Sequence, residues 1–569
     1  MYLDCIVDIP EAPGRISTIT KGNATYVRYV SERIYKPEKK YTSPNHKVIG
    51  KLVGDGSNRM IPNENYLKYF GALELPETKS TNRRSSCLRI GSFLVIRKIM
   101  EEYKLSEMLS KYLGSKNCGL LLDLAAYSIV AENNAGQYYP DYAYNHPLFT
   151  AGMRMYSDSK VSDFLAGIED DQRIGFLNEW NHDRDHREKI YISYDSTNKN
   201  CQAGDIQLVE FGHPKDDKGL PVFNYSIAYD TNNREPLFYE QYPGSIVDIS
   251  QLQFMLEKAQ GYGYRHVGFI LDRGYFSKEN IGYMDKCSYD FVIMVKGMNS
   301  LVRNLILENR GRFEEDRDCH IRDYKVFGTT VKRQLYAGDK EERYFHLYYS
   351  EQKASAEREQ FEARLERMAK CLEQWKGQVR TIADGFREFY ELEIYEKDGT
   401  FLFAREKKEA IIEEKRLCGY FVIVTSERMS AREALELYKS RDVSEKLFRG
   451  EKTYLGNRSL RVSSDEAAAG KIFTEFIALI VRNKIYTSLK AEMKKLDKRP
   501  NFMTVPGALR ELEKIEMIRM TDGKYRMDHA VTATQKSILT AFGMDAGYVK
   551  KASDELSGMI FKYERNSEE

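Results

Sequence analysis

The sequence lacks several features that would assign it to a common class of protein. Its eight cysteines include no CxxC pair, which argues against zinc ribbons and a disulfide framework. The longest apolar run, from Phe476 to Val481, is far too short to span a membrane. The amino terminus shows no basic segment followed by an apolar stretch, so no secretory signal is visible. We therefore expect a cytoplasmic protein without a membrane partner.

Excess charge of one sign is also missing from the chain as a whole, because the formal net charge is only +2. That charge is unevenly distributed. Residues 1–90 hold 15 Lys and Arg against 9 Asp and Glu, and residues 438–499 hold 15 against 8, giving +6 and +7. Two basic segments in an otherwise compensated chain favour a polyanionic partner such as nucleic acid, although two solvated basic faces would look the same.

At 569 residues the chain is too long for one core and should hold several domains. Composition and periodicity predict a small basic strand-rich module, a helical region, the first part of an α/β core, an insertion rich in strands and helix, the second part of the core, and a helical tail. In that order, these six segments are predicted at 1–86, 87–185, 186–300, 301–417, 418–499 and 500–569.

The segment 186–300 carries the clearest fold signal. Three strand-like runs ("IYISYDST", "PVFNYSIAYD", "PLFYEQYPG") are followed by a helical stretch and two more strands ("HVGFILD", "YDFVIMVKG"). This order of elements predicts a ribonuclease-H-like sheet. The fold class is therefore multidomain α/β, with a ribonuclease-H-like core that is interrupted by an insertion and resumes at "GYFVIVTS".

Three carboxylates are placed where they could meet. Asp195 and Asp272 are each predicted to end a strand, and Glu445 lies on a helix after the last core strand. Each has an ordinary interpretation on its own: a turn former, a helix cap and a surface residue, respectively. Converging carboxylates repel one another unless cations lie between them, and hard oxygen ligands favour Mg²⁺ or Mn²⁺. A pair of such ions is the usual catalyst of in-line phosphoryl transfer.

The segment around Glu445 holds a second pattern, Tyr438-x2-Arg441-x3-Glu445-x6-Lys452. At about 100° per residue these four side chains would lie in one narrow stripe if a single helix continued through Gly450. An Arg441–Glu445 pair on a solvated face is the ordinary alternative, but it explains only two of the four.

With "YISYDST" and "FILDRGYF", this spacing resembles the DDE transposases of bacterial insertion sequences, in particular the family-four type with a Y-(2)-R-(3)-E-(6)-K signature and its sixteen-thirty-four-like group. The resemblance covers roughly residues 90–540, and it implies that the helical region 87–185 is a DNA-binding region that recognises the transposon ends together with the basic module. It implies that Asp195, Asp272 and Glu445 are catalytic and bind two Mg²⁺ or Mn²⁺ ions. It further implies DNA contacts by four residues, namely Tyr438, Arg441, Lys452 and Arg273.

The implied function is cut-and-paste DNA transposition: metal-dependent cleavage at transposon ends, then strand transfer, with release of the flanking strand through a hairpin intermediate. Its implied partners are double-stranded DNA, as terminal inverted repeats and target, and a second copy of the chain, with the amphipathic tail after residue 500 as a dimer contact. The implied location is the nucleoid of a bacterial cytoplasm. A flipped base would need an aromatic platform, for which Tyr336, Trp375 and Tyr390 are equivalent candidates.

Two other classes remain open. A nuclease of the same fold would keep the carboxylates and lack strand transfer. A non-catalytic DNA-binding protein derived from a transposase would be expected to lose one of the three acids, and all three are present. A glycosidase fits less well, since three acids beside a cationic stripe suit a phosphate ester.

Overall fold

A computed structural model describes the chain except at residues 1, 4–5, 23, 38–39, 55–57, 72–83, 185–188, 202–205, 212–220, 247, 296–299, 337, 396, 443–454, 456–458, 499–502 and 567–569. The side chains of residues 248–250, 565 and 566 are also outside the description. The chain divides into two compact units, Met1–Arg83 and Arg84–Glu569.

The first unit is a five-stranded antiparallel sheet with one helix. Its strands are β1 (Val7–Asp8), β2 (Ile16–Lys21), β3 (Ala24–Lys36), β4 (Tyr41–Leu52) and β5 (Arg59–Pro62), in the spatial order β1-β5-β4-β3-β2. Helix α1 (Glu64–Phe70) is capped by the Asn63 side chain, which accepts a hydrogen bond from the backbone of Asn65. The core of this unit is small, with Val27, Ile49 and Met60 at its centre.

The second unit contains the remaining elements. Its strands are β6 (Cys87–Arg89), β7 (Ile190–Asn200), β8 (Val222–Asp230), β9 (Glu235–Pro243), β10 (Val267–Leu271), β11 (Asp290–Met294), β12 (His320–Ile321), β13 (Val326–Gln334), β14 (Glu342–Tyr349), β15 (Tyr390–Tyr395), β16 (Thr400–Glu406), β17 (Tyr420–Thr425), β18 (Glu516–Arg519) and β19 (Tyr525–Met527). Its helices are α2 (Gly91–Glu102), α3 (Leu105–Ala131), α4 (Tyr139–Asn145), α5 (Asp158–Ala166), α6 (Asp170–His182), α7 (Asp248–Gly261), α8 (Lys278–Lys286), α9 (Ser300–Asn309), α10 (Glu351–Trp375), α11 (Asp384–Arg387), α12 (Lys408–Leu417), α13 (Ala431–Ser440), α14 (Asp465–Lys495), α15 (Val505–Leu512), α16 (Ala533–Thr540) and α17 (Ala546–Asn566).

A nine-stranded mixed sheet is the centre of the second unit, with the order β12-β13-β14-β17-β11-β10-β7-β8-β9. Strands β7, β8 and β9 form an antiparallel meander, and β10 and β11 then add to the β7 side in parallel. The predicted succession of three strands, a helix and two strands is therefore present, with α7 between β9 and β10. These strands read as apolar runs because both faces of the sheet are covered, and all nine residues of β8 are buried.

The segment 301–417 was expected to be a separate insertion, and the structure divides it differently. Its first strands, β12 to β14, continue the central sheet, because β14 pairs antiparallel with β17 over Tyr344–Tyr349. Only the later part forms a structure with its own apolar cluster. Pairing between strands distant in sequence leaves no local pattern, so this continuation was not visible in the sequence.

The later part of the insertion packs around α10. The heptad-like positions Phe361, Leu365, Met368 and Leu372 are buried, and they pack with side chains of β15, β16 and α12. This face of α10 therefore packs within its own subdomain.

Helix α14 is the other structural centre of the second unit. It spans 31 residues and is buried around most of its circumference from Ala467 to Ile485. A helix that is apolar on all sides belongs in the interior of a protein. It packs against α2, α3 and α5 on one side and β9 of the central sheet on another. Within the part of the chain that the structure describes, no helix is long and apolar enough to cross a membrane.

The segment after residue 500 is only partly helical, which corrects the prediction of a helical tail. Strands β18 and β19 form an antiparallel pair, and β18 also pairs with β6, so that Met517 lies opposite Leu88. The short run "EMIR" fits either a helix or a strand locally, and its partner 430 residues away selects the strand. Many apolar residues of α15, α16 and α17 belong to the main core of this unit, whereas Met559 and Tyr563 of α17 are exposed, so the expected dimer contact stays a prediction.

A buried histidine in the central sheet gives a test of this fold. His346 of β14 lies within hydrogen-bond distance of Thr330 Oγ1 (2.9 Å) and Thr425 Oγ1 (3.0 Å), and burial lowers the pKa of its imidazole to about 4. Because the folded-state pKa lies below the ordinary value near 6.5, the unfolded chain binds this proton more tightly.

We therefore expect the free energy of unfolding to be unaffected by this group above about pH 6.5. As the pH falls from there to about 4, the free energy should decrease, by on the order of 3 kcal/mol at most. Denaturant titrations of wild type and His346→Gln across that range measure the effect. Equal pH dependence in both proteins would contradict a buried neutral histidine.

Candidate functional site

The register between β7 and β10 brings the two predicted aspartates together. These strands run parallel, and their last paired residues are Tyr194 and Leu271. Asp195 and Asp272 each follow directly, so they occupy equivalent positions on neighbouring strands, which lie about 4.8 Å apart in a sheet. Both side chains are partly exposed. The structure thus places two carboxylates side by side at one edge of the β7–β10 pair.

Asp195 does not end its strand, contrary to the sequence prediction. Strand β7 continues to Asn200 because β8 pairs with it along its full length, with Asp195 opposite Ile227. Only the neighbour β10 stops at this level. On the β8 side, Asp195 therefore lies in the middle of a paired strand. On the β10 side, it lies just beyond the last paired residue.

Asp272 follows β10 and begins a single 3-10 turn, Arg273–Tyr275. One of its carboxylate oxygens accepts a hydrogen bond from the backbone N–H of Arg273 at 2.8 Å. The capping role that sequence analysis offered as an alternative is thus present. It fixes the carboxylate beside Asp195 and leaves the side chain 38% exposed.

The signature tyrosine is anchored in the protein interior. Tyr438 lies in the last turn of α13, is only 5% exposed, and packs with Ile270, Val292 and Ile423 of the sheet. Burial is the main reason that its pKa is raised to about 12. Arg441 and Arg273 oppose the rise, whereas Asp272 and Asp195 add to it. The charges of these four residues therefore act on the Tyr438 hydroxyl.

Arg441 supplies a positive charge beside Asp272. It is the residue that caps α13 at its carboxyl end, its guanidinium lies 5.5 Å from the centroid of the Tyr438 ring, and its Nη1 lies 3.5 Å from an Asp272 oxygen. Only 14% of the Arg441 side chain is exposed, so this ion pair is shielded from solvent more than a surface pair. Arg273, in contrast, is exposed beside it.

The remaining predicted residues, Glu445 and Lys452, lie outside the described residues, as does Gly450. Of the predicted stripe, the described residues include only Tyr438 and Arg441, so the alignment of Glu445 and Lys452 with them stays a prediction. Helix α13 ends at Ser440, whose hydroxyl donates to the Leu437 carbonyl, and Arg441 follows as its cap. Within the described residues, no group of three or more His, Cys, Asp and Glu is arranged to hold a metal ion.

The aromatic candidates differ in exposure. Tyr390 is a core residue whose hydroxyl donates to the Leu365 carbonyl, so its ring is not available for stacking. Trp375 is partly buried against Phe386. Tyr336 is also partly buried, with the Lys278 ammonium 5.4 Å from its ring centroid.

Sequence reasoning missed one feature of this region. Lys471 of α14 lines a cleft near the carboxyl end of β7. A lysine within the apolar run "AAAGKIFTEFIALIV" was the available signal, since such a position normally holds a hydrophobic residue.

The site supports a measurable distinction between the ring and the hydroxyl of Tyr438. Tyr438→Phe keeps the packing and should change the free energy of unfolding by less than about 1 kcal/mol, whereas Tyr438→Ala should cost about 3–5 kcal/mol. Denaturant unfolding of both variants measures this difference. A small cost for the alanine variant would show that the ring does not anchor α13 on the sheet.

Residues 194–481, just over half of the chain, match the family model described as "Transposase DDE domain". A search of curated proteins gave no match. Among solved structures, a piggyBac transposase synaptic complex with hairpin DNA is similar with a TM-score of 0.36 and 7% sequence identity, covering 74% of this chain and 79% of that chain. At that TM-score the likeness carries no argument about function.

Proposed function

This chain belongs to the transposase DDE domain family, and we propose on that premise that it is a DNA transposase with Asp195, Asp272 and Glu445 as its catalytic triad. The observation that carries the proposal is the placement of Asp195 and Asp272 at equivalent positions on two parallel strands, with Arg441 beside them. The order and directions of strands β7 to β11 support a ribonuclease-H-like core around this site.

The donor set fits a divalent metal ion. Two adjacent carboxylates offer hard oxygen ligands of the kind that Mg²⁺ and Mn²⁺ prefer. Asp195 and Asp272 would hold the ions from the sheet, and Glu445, which follows α13 in sequence, is the proposed third ligand. When bound, such ions supply Lewis-acid activation of the attacking oxygen and charge stabilisation at the leaving oxygen.

The protein residues around the carboxylates would position the DNA. Arg441 and Arg273 offer guanidinium groups that suit phosphate oxygens. The Tyr438 hydroxyl has a pKa of about 12, so it is neutral at physiological pH and would donate a hydrogen bond to a phosphate oxygen. Lys452 would add an ammonium from beyond α13. The Arg441–Asp272 pair also holds the Asp272 carboxylate in place, so that its orientation does not depend on the substrate alone.

The proposed reaction is hydrolysis of the strand at the transposon end, followed by attack of the freed 3′-hydroxyl on a second phosphodiester. In this cut-and-paste scheme the flanking strand is released through a hairpin intermediate. Of the aromatic candidates for the flipped base, Tyr336 and Trp375 remain, because Tyr390 is buried. Two copies of the chain would hold the two ends during transfer to target DNA.

The central prediction concerns the carboxylates. Asp195→Asn, Asp272→Asn and Glu445→Gln should each lower metal-dependent nicking of a labelled duplex bearing the transposon end by roughly 1000-fold or more, since each removes a ligand worth several kcal/mol in the transition state. Binding of the same duplex, measured in parallel without metal, should change by only a few-fold.

Glu436→Gln is the matched control. Glu436 is an exposed glutamate of α13 that lies 3.7 Å from Arg432, so its substitution should leave nicking unchanged. Nicking that persists in the aspartate variants would contradict the proposed triad. A joining assay with pre-cleaved ends then separates a transposase from a nuclease of the same fold, which would nick and fail to join.

A further inference from the structure

A cleft of about 830 Å³ opens beside the end of β7 and the beginning of α14. Its walls come from α5, from the segment 459–464 that precedes α14, and from the first turns of α14 itself. This segment is fixed to β7, because Ser459 forms a parallel bridge with Asn200 and the Leu460 N–H donates to the Asn200 carbonyl at 3.0 Å. The cleft therefore adjoins the same strand that carries Asp195.

A buried amine lines this cleft. Lys471 is only 4% exposed, and within the described residues its ammonium makes no hydrogen bond and no ion pair closer than 4 Å. Burial lowers the pKa of Lys471 to about 8, which still leaves the amine mostly protonated at neutral pH. Burying a charge that makes no direct ion pair is costly, so an anion bound beside this ammonium would be stabilising.

The neighbouring carboxylate of Glu475 raises the pKa of Lys471, but burial outweighs this effect and the carboxylate bonds to other residues. Glu475 lies one turn along α14, but one of its oxygens accepts from Lys199 Nζ at 2.8 Å and the other from Asn134 Nδ2 at 3.0 Å. Lys199 is fully buried, so the pair is a closed unit. The other charged neighbour that acts on Lys471 from the cleft wall, Arg461, is a cation and lowers the same pKa.

The polar groups of the cleft are suited to an anion. Side-chain hydroxyls of Ser162, Ser459 and Ser463 line it, and α14 directs its amino terminus, capped by Ser464, toward the same space. The one acid on the wall, Asp163, lies 3.6 Å from Lys160 and is largely exposed. A buried ammonium, a guanidinium, hydroxyls and a helix amino terminus together form a site for a phosphate group.

We propose that this cleft binds a backbone phosphate of the DNA strand whose scissile phosphodiester lies at Asp195 and Asp272. The inference rests on the proposed function. Asn200 lies five positions after Asp195 on β7. This is a distance of about 17 Å along the strand, which corresponds to several nucleotides of a DNA strand. A strand that follows the direction of β7 would reach Lys471 a few phosphates away from the cleavage point.

The test is binding of the labelled end duplex, without metal, over a series of salt concentrations. Lys471→Met removes the ammonium and keeps the chain length, and it should weaken binding about tenfold and reduce the slope of log K against log [salt] by about one. Its melting temperature should equal or exceed that of wild type, because an uncompensated buried charge has been removed. A melting temperature at or above that of wild type would show that the weaker binding reflects a lost contact and not a loss of folding.

Lys494→Met is the matched control, because Lys494 is an exposed lysine at the far end of the same helix and not part of the cleft. It should leave both the affinity and the slope near their wild-type values. Equal binding by wild type and Lys471→Met would overturn the inference and leave the proposed function intact. Absence of duplex binding by wild type would overturn both.

Inorganic phosphate distinguishes the two sources of the anion. If the cleft serves DNA, phosphate should compete with the duplex for wild type and lose that effect in Lys471→Met at the same ionic strength. Phosphate that raises the melting temperature of wild type but not of Lys471→Met, while duplex affinity is the same in both, would identify a free-phosphate site and overturn the assignment to DNA.

Discussion

The parallel register of β7 with β10 is the constraint on which the site depends. Pairing of Tyr194 with Leu271 leaves Asp195 and Asp272 at the same level, one strand apart. A shift of one residue would turn one carboxylate to the opposite face of the sheet. Two adjacent anions cost energy, and the fold offsets it with Arg441, which reaches Asp272 from the end of α13. That helix is in turn held by the Tyr438 ring in the apolar cluster on the sheet.

Strand β7 is also held at its far end. Beyond Asp195, Lys199 is fully buried and bonds to Glu475 of α14, with its ammonium 4.3 Å from the centroid of the Tyr225 ring. A buried pair of this kind contributes little net stability, but removing either partner would leave an uncompensated charge in the interior. It therefore fixes the position of α14 relative to the strand that carries the first carboxylate. The two centres of the unit, sheet and central helix, are joined at this point.

Much of the core could be predicted from local patterns. The strands of the meander and the two parallel strands read as apolar runs bounded by turn residues, and Asp272 follows one of them directly. The position of Asp195 beside Asp272 depends on where β10 ends, because β7 itself continues past Asp195 in its pairing with β8. Sequence patterns contain no such information about where a partner strand stops, so the prediction that Asp195 ends a strand was wrong.

Long-range pairing accounts for the other errors. Strands β12 to β14 join the central sheet through β17, and β18 forms between β19 and β6. Strand β17 is distant in sequence from β14, and β6 is distant from β18, so β12 to β14 appeared as a separate insertion and β18 as part of a helix. At the site, helix α13 ends at Ser440 and Arg441 caps it. The spacing of Tyr438 and Arg441 is compatible both with a continuing helix and with this cap, so the sequence did not reveal the helix end.

The pairing of β6 with β18 has a consequence for synthesis of the chain. Leu88 emerges from the ribosome early, but its partner Met517 follows some 430 residues later. During that interval the apolar face of α2 lacks the side chains of α15 and α17 that cover it in the finished protein. Contacts of such long sequence separation form slowly, and unsatisfied apolar surface favours aggregation. The helical region thus completes its core only after α15 and α17 have been synthesised.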